Sequence, residues 1–271
     1  LYTGKQMVHE PRPLASRARE RVISPRGDRS KTTGPVILSD VYFGRNMEGV
    51  KRGSIKKLLV LEDLPKPVNY HGGGSQPIGH GVTSTLKRIL GTVPVEADGS
   101  AHFDVPAMRS VYFAVLDEED RSCKRMRGFV TLQPGEAASC VGCHEERGQT
   151  PRTRGLRLEA LARPPSRIEP FADVPEVPDF PRDVQPVLDK HCVKCHSHPE
   201  RKDGIVLTGD RGPVFSLAYY TLRLHWQVKD TNGPPRDGTG RQNGNDPPHT
   251  TFSSASPLMN KIDGSHNEVK L

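Results

Sequence analysis

Two short strings carry the chemistry of this chain: Cys140-Val-Gly-Cys143-His144 and Cys192-Val-Lys-Cys195-His196. Thiolates and imidazoles are metal ligands, and C-x-x-C-H is the attachment pattern of a c-type haem. The spacing has a physical reason. Two thiols add across two vinyl groups on one porphyrin edge, two intervening residues let both reach, and the adjacent imidazole lies under the ring as an iron ligand. The chain has 5 Cys and 11 His in 271 positions. Composition alone yields such a string about 0.004 times per chain, so two together are no accident.

Zinc is the competing chemistry, because two C-x-x-C pairs supply four sulfur ligands. The separation from Cys143 to Cys192 is well beyond the roughly 15–20 residues of a compact zinc ribbon, and a ribbon needs no histidine after each pair. A thioredoxin-like dithiol needs a βαβ context, which is missing. The sequence therefore predicts two covalently bound c-type haems on Cys140, Cys143, Cys192 and Cys195, with His144 and His196 as iron ligands. Cys123 is left over and is read as a free thiol in the acidic turn that begins at Asp117.

A second iron ligand for the later haem should come from a loop downstream of its motif. His225, His249, His266 and Met259 lie there. His225 sits in a helical pattern beside Trp226, and Met259 falls at core spacing with Leu258 and Ile262. His249 follows Asp246-Pro247-Pro248, where holding a ring on iron costs chain entropy. His266 follows a short helix and Gly264, so it is the expected ligand. For the first haem, His71, His80 and His102 precede the motif and read as turn or surface histidines.

The elements that must hold these groups are short. Gly (26) and Pro (25) are abundant and aromatic residues make up 6%, which argues against a helical bundle and for loops and strands. No run approaches the roughly 18 apolar residues of a membrane span. The formal charge of +7 is concentrated in residues 1–35, from Arg12 to Lys31. No aromatic residues interleave there as a stacking platform requires, so nucleic acid is not an expected partner and 1–35 reads as a basic tail or linker.

From Val36 the pattern changes to β-type segments at Val36–Phe43, Ser54–Leu61, Thr85–Val95, Ala101–Val105, Ser110–Leu116 and Arg125–Leu132. Turn signals bound them, and Asp98-Gly99 reads as a hairpin. Residues 36–162 are thus expected to form a mainly β, antiparallel, sandwich-like domain with the first haem motif at its end. Residues 163–182, with six prolines, read as an extended linker. Residues 183–271 are expected to form a small, mainly α, cytochrome c-like domain. Its helices are predicted from Asp183 into Cys192, at Ser216–Trp226, and after Ser256-Pro257 with Gly264 as the stop. No closing helix follows, so this end reads as truncated.

Haem attachment of this kind is completed outside the cytoplasmic membrane, which predicts a periplasmic or otherwise exported location. The sequence starts at Leu1 with no apolar signal region after it. It reads as an internal piece of a longer exported protein.

Several strings together carry a family resemblance. They are Gly53-Ser54-Ile55-Lys56-Lys57-Leu58, the run from Ile89-Leu90-Gly91-Thr92 to Asp98-Gly99-Ser100, Leu132-Gln133-Pro134-Gly135-Glu136, and Ser139-Cys140-Val141-Gly142-Cys143-His144. Ser256-Pro257-Leu258-Met259 and Asp263-Gly264-Ser265-His266 fit as well. Over roughly residues 36–271 the chain resembles the hydrazine synthase alpha-subunit family of planctomycete-type bacteria. The resemblance implies a β-rich middle domain carrying one haem and a C-terminal cytochrome domain carrying another, as part of a larger protein. It also implies that the middle-domain haem is the catalytic one, held by a tyrosine four residues past the motif histidine. This chain has Gly148 at that position, so the fold and the haems carry over but that ligand does not.

The reading that both motifs support is a dihaem electron-transfer module, working with a redox partner protein or with other subunits. The alternative is a haem enzyme of hydrazine-synthase-like type acting on small nitrogen species at the middle-domain haem. A zinc-stabilised interaction domain is a second alternative. The axial ligands separate the first two, since two strong protein ligands leave iron a carrier and one open position admits a substrate.

Overall fold

Strands that bury one face alternate apolar and polar residues with period two. The computed structural model describes residues 15–16, 18–25, 27–65, 86–126, 128–143, 157–198, 204–212, 215–229, 246–267 and 269–271. Its strands are β1 (Thr33–Asp40), β2 (Lys57–Asp63), β3 (Lys87–Pro94), β4 (Ala101–Pro106), β5 (Val111–Leu116), β6 (Ser122–Arg125) and β7 (Ala138–Gly142). In β1, Val36 and Leu38 point inward; in β4, Ala101, Phe103 and Val105 do.

Two sheets share one core. The first has the order β4-β1-β7 and the second β3-β2-β5-β6. All pairs in the second are antiparallel, whereas β1 and β7 run parallel. Leu58 and Val60 from β2 and Val111 and Val115 from β5 face Val36, Phe103 and Val105 from the other sheet. Phe103 and Phe113 meet edge to face across the layers, with ring centroids 5.3 Å apart.

The Asp98-Gly99 turn forms, but not as a hairpin. It joins β3 to β4, which belong to different sheets, so it is the corner between the layers. Gly99 has φ 86°, and an added Cβ would meet Asp40 Oδ1 at 2.7 Å. The segment expected as a strand over Arg125–Leu132 also differs. The strand lies earlier, at β6, and beyond it Val130 makes one bridge to Val111. Cys123, expected in a turn, is therefore buried on β6.

The proline-rich stretch is extended and docked. Thr92 and Glu169 exchange backbone hydrogen bonds of 2.9 Å, as Ser166 does with His102 and Asp104. Ile89 N donates to Glu176 O at 2.6 Å. These contacts lie on β3 and β4, one outer strand of each sheet, so the stretch straps the seam between them. Gly91 permits the approach. It has φ 134°, and a Cβ there would stand 2.1 Å from Glu169 O. Arg163 anchors the start of the strap by an ion pair to Glu96 at 2.6 Å.

After the strap the chain becomes helical. A wide π-type turn over Phe180–Val184, capped by Asp179 rather than Asp183, leads into α1 (Gln185–His191). Helix α2 (Leu217–Leu224) starts at the cap Ser216, and α3 (Pro257–Lys261) is short. Leu188, Leu207, Ala218 and Leu222 form a second, small core. No helix among the described residues is long and apolar enough to cross a membrane.

Candidate functional site

The second motif is built on a helix end. Cys192 N donates to Leu188 O at 2.8 Å, and Cys195 N and His196 N both donate to Cys192 O, at 3.1 and 3.0 Å. The motif therefore continues the winding of α1. Positions i, i+3 and i+4 share one helical face, so Cys192, Cys195 and His196 come out on the same side. That side opens on a cavity of about 310 Å³, within the range of small-molecule sites.

The cavity walls are apolar, with Leu207, Leu222, Leu258 and Ile262 among them. They are held by polar ties behind. The buried Gln185 amide donates to Asp189 Oδ1 at 2.8 Å and to Leu207 O at 2.9 Å. The Ser256 hydroxyl, expected as a helix cap, accepts from Lys229 N at 2.9 Å and donates to Phe252 O at 2.7 Å. Leu258 N donates to Gln227 O at 3.0 Å. Together these fix α3 against the end of α2.

His196 is oriented. Its Nδ1 stands 3.2 Å from Ile205 O, so Nδ1–H donates to that carbonyl and Nε2 is left as a ligand. His266 faces it across the cavity, with ring centroids 6.1 Å apart and planes 23° apart. Two imidazoles on opposite sides of one metal, each bonded at about 2.0–2.1 Å, would hold their centroids about 6.3 Å apart. His266 is presented by a fold-back: Gly264, with φ 102°, donates to Val269 O at 2.8 Å, and Leu271 N donates to Ile262 O at 3.0 Å. Asn267 Nδ2 lies 3.3 Å from His266 Nε2 and is its present polar neighbour.

Of the four downstream candidates, His266 lines the cavity, and His225, Met259 and His249 do not among the described residues. His191, Lys194 and Lys261 line it as well; sequence reasoning did not single them out. Adjacency to the motif was an available signal for His191 and Lys194. Lys261 had none, because the docking of α3 on the end of α2 brings it there, where its Nζ donates to Gln227 Oε1 at 2.8 Å. Burial raises the Cys192 thiol above its usual range. The donor set, two thiols and two imidazoles around an apolar cavity, fits a covalently held haem.

The first motif is built on a strand. Cys140 lies on β7, in register with Leu38 of β1, and its side chain packs on the sandwich core. Gly142 is in register with Asp40, and a Cβ there would meet Phe43 O at 2.1 Å. The glycine in Cys-Val-Gly-Cys is thus what lets the strand end pass the loop after β1. Burial pushes the Cys143 thiol up to about 12, against the pull of the nearby Lys124 ammonium. Lys124 Nζ donates to Arg45 O and Asn46 O at 2.8 and 3.2 Å.

His144 and the candidates His71 and His80 lie outside the described residues, as does Gly148. His102 lies on β4, not on a loop, in the row of Ile37 and Ser139. Cys140 shares the next row with Leu38 and Ala101, so His102 and Cys140 project from opposite faces of the sheet. At this motif the described residues supply the two thiols alone. Cys123 is separate from both motifs; burial and Asp117 push its thiol up to about 12.

Comparison with known proteins bears on the first region most directly. Residues 53–145 match the family described as "Hydrazine synthase alpha subunit middle domain", a range that includes the first motif. The structure resembles that titled "Kuenenia stuttgartiensis Hydrazine Synthase" with a TM-score of 0.55 at 19% identity. The likeness covers 71% of this chain and 34% of that one, so the chain spans about a third of its length. No match was found among curated proteins.

Proposed function

From a hydrazine synthase alpha-like chain, with the middle-domain match at residues 53–145, we propose a dihaem c-type cytochrome module that carries electrons within a larger exported redox protein. The observation that carries this reading is the convergence of Cys192, Cys195, His196 and His266 on one apolar cavity. Bound haem supplies one-electron iron chemistry there. The protein's part is to hold, orient and shield. Cys192 and Cys195 would form the thioether links, and His196, aimed by Ile205 O, would ligate the iron together with His266. Two imidazoles would favour a lower potential than imidazole with thioether. Lys261 and Lys194 lie at the cavity, where their charge suits the propionates of a haem. Cys140, Cys143 and His144 hold the other haem, and the exported location follows from attachment of both. The partner is another subunit or a redox protein. The proline-rich strap marks the boundary between the two haem-bearing regions.

The test is maturation of the chain in a host that attaches c-type haem, followed by denaturation. Two haems should stay bound to the unfolded chain and give a c-type pyridine haemochrome. A chain that carries zinc on the cysteine pairs and no haem overturns the reading in favour of a zinc-stabilised domain.

A second reading, an enzyme acting on small nitrogen species at the middle-domain haem, is favoured by the family of residues 53–145. It requires an open iron position at that haem. Carbon monoxide binding by the reduced protein, lost in Cys140→Ala with Cys143→Ala and kept in Cys192→Ala with Cys195→Ala, is the expected result if it holds.

A further inference from the structure

Away from both motifs, three side chains distant in sequence meet at one end of the sandwich. Asp117 follows β5, Cys123 lies on β6, and His249 comes from the segment before α3. One ligand atom from each lies within 4.8 Å of the other two. A carboxylate, a thiol and an imidazole are the three donor types that zinc takes.

The donors are held from several sides. Asp117 Oδ1 accepts from Arg121 N at 2.8 Å, which leaves Oδ2 facing Cys123 Sγ at 3.7 Å. Around tetrahedral zinc, with bonds of about 2.1 Å to oxygen and 2.3 Å to sulfur, those two atoms stand about 3.6 Å apart. This pair is thus already at coordination spacing. His249 is fixed to the same strand, since its N–H donates to Cys123 O at 3.1 Å. Its φ of 59° lies in the left-handed region. The segment around it is docked independently: Ser122 N donates to Ser253 Oγ at 2.6 Å, and the Arg125 guanidinium lies 4.6 Å from the Phe252 ring centre.

We propose that Asp117, Cys123 and His249 hold one zinc-class divalent cation that pins residues 246–253 to the β5–β6 end of the sandwich. Cys123 binds as thiolate and releases its proton to water. Asp117 adds an oxygen and neutral His249 a nitrogen, so the two anionic ligands balance the charge of the ion. His249 is exposed, and water completes the fourth position from that side. Glu118 and Glu119, in the loop between β5 and β6, add negative potential that draws cations in. This site does not depend on the haem reading, because it uses none of the motif residues.

The test measures zinc and iron together on the full chain, matured with haem and purified with zinc in the buffer before a desalting step. The expected result is about one zinc per chain, falling to near none in His249→Ala and in Cys123→Ser while iron stays unchanged. His249 is exposed, so its variant keeps the fold and decides the matter even if Cys123→Ser does not accumulate. Chelation of the parent should also speed proteolytic cleavage within 246–255, and added zinc should restore protection. Zinc content that is the same in His249→Ala as in the parent, or a parent with full iron and no zinc, overturns the proposal. A chain without iron whose zinc survives in His249→Ala places that zinc on the cysteine pairs instead, which sinks both this site and the haem reading, whereas iron present with zinc insensitive to His249 sinks this site alone.

Discussion

The two Cys-x-x-Cys-His strings have the same spacing and opposite support. Cys192, Cys195 and His196 continue a helix, so one face carries all three and opens on a cavity. Cys140 sits on a strand paired with β1, which ends at Gly142 against the Phe43 carbonyl. The motif fixes the spacing of two thiols and an imidazole; it does not dictate the backbone that delivers them. The surroundings differ too. The sandwich core among the described residues includes fifteen buried side chains, from Val36 to Leu132. The core beside the second motif has four. The first motif packs against a large core built mostly from other strands, while the second adjoins a small one.

The sharpest break in this comparison is removal of each pair in turn. Cys192→Ala with Cys195→Ala should halve the haem iron and unfold the region from Phe180 onward. Hydrogen exchange would show that region losing protection while β1 to β5 keep theirs. Cys140→Ala with Cys143→Ala should also halve the iron, yet leave the sandwich protected and its denaturation midpoint near that of the parent. Equal unfolding in both variants would erase the distinction.

A smaller effect separates the cores themselves. Phe103 is fully buried and touches Phe113 across the layers. Phe103→Ala should cost the sandwich about 3–5 kcal/mol in chemical denaturation. The visible spectrum of the second haem should not change. Gly91→Ala should cost about 1–3 kcal/mol, since the new Cβ meets Glu169 O and the backbone is left-handed there. Limited proteolysis should find new cuts between residues 166 and 176 in that variant.

Last, His266→Ala should change stability little and ligation much. The second haem should turn high-spin or bind carbon monoxide, with the first unaffected. An unchanged low-spin spectrum would assign the ligand elsewhere, and a thioether-to-iron band lost in Met259→Ala would assign it to Met259.

Much of this was readable from particular residues. The alternation in Val36–Leu38, Leu58–Val60 and Ala101–Val105 located β1, β2 and β4 within a few residues, because burial on one face leaves a local period. Strand β7 was not anticipated. Ala138–Gly142 consists of small residues apart from Val141, it is hidden by the motif within it, and its pairing with β1 joins segments far apart in the chain. Asp98-Gly99 announced a turn correctly but not which sheets it joins, since turn chemistry is local and layer choice is not. Three of the four downstream ligand candidates were set aside on local grounds, and among the described residues His266 is the candidate at the cavity. The Asp117–Cys123–His249 cluster had no signal in the order of residues, because only the docking of the segment around Phe252 onto β6 creates it.

The strap over β3 and β4 has a consequence for the order in which the chain is made. Residues 33–116 leave the ribosome before Ser166, Glu169 and Glu176 do. During that interval both outer strands offer unpaired backbone groups, the template on which chains join edge to edge. A product cut short before Pro164 would keep those edges open permanently. It should self-associate at concentrations where the longer chain remains dispersed, so the prolines act as a late-arriving guard against aggregation as much as a connection between two regions.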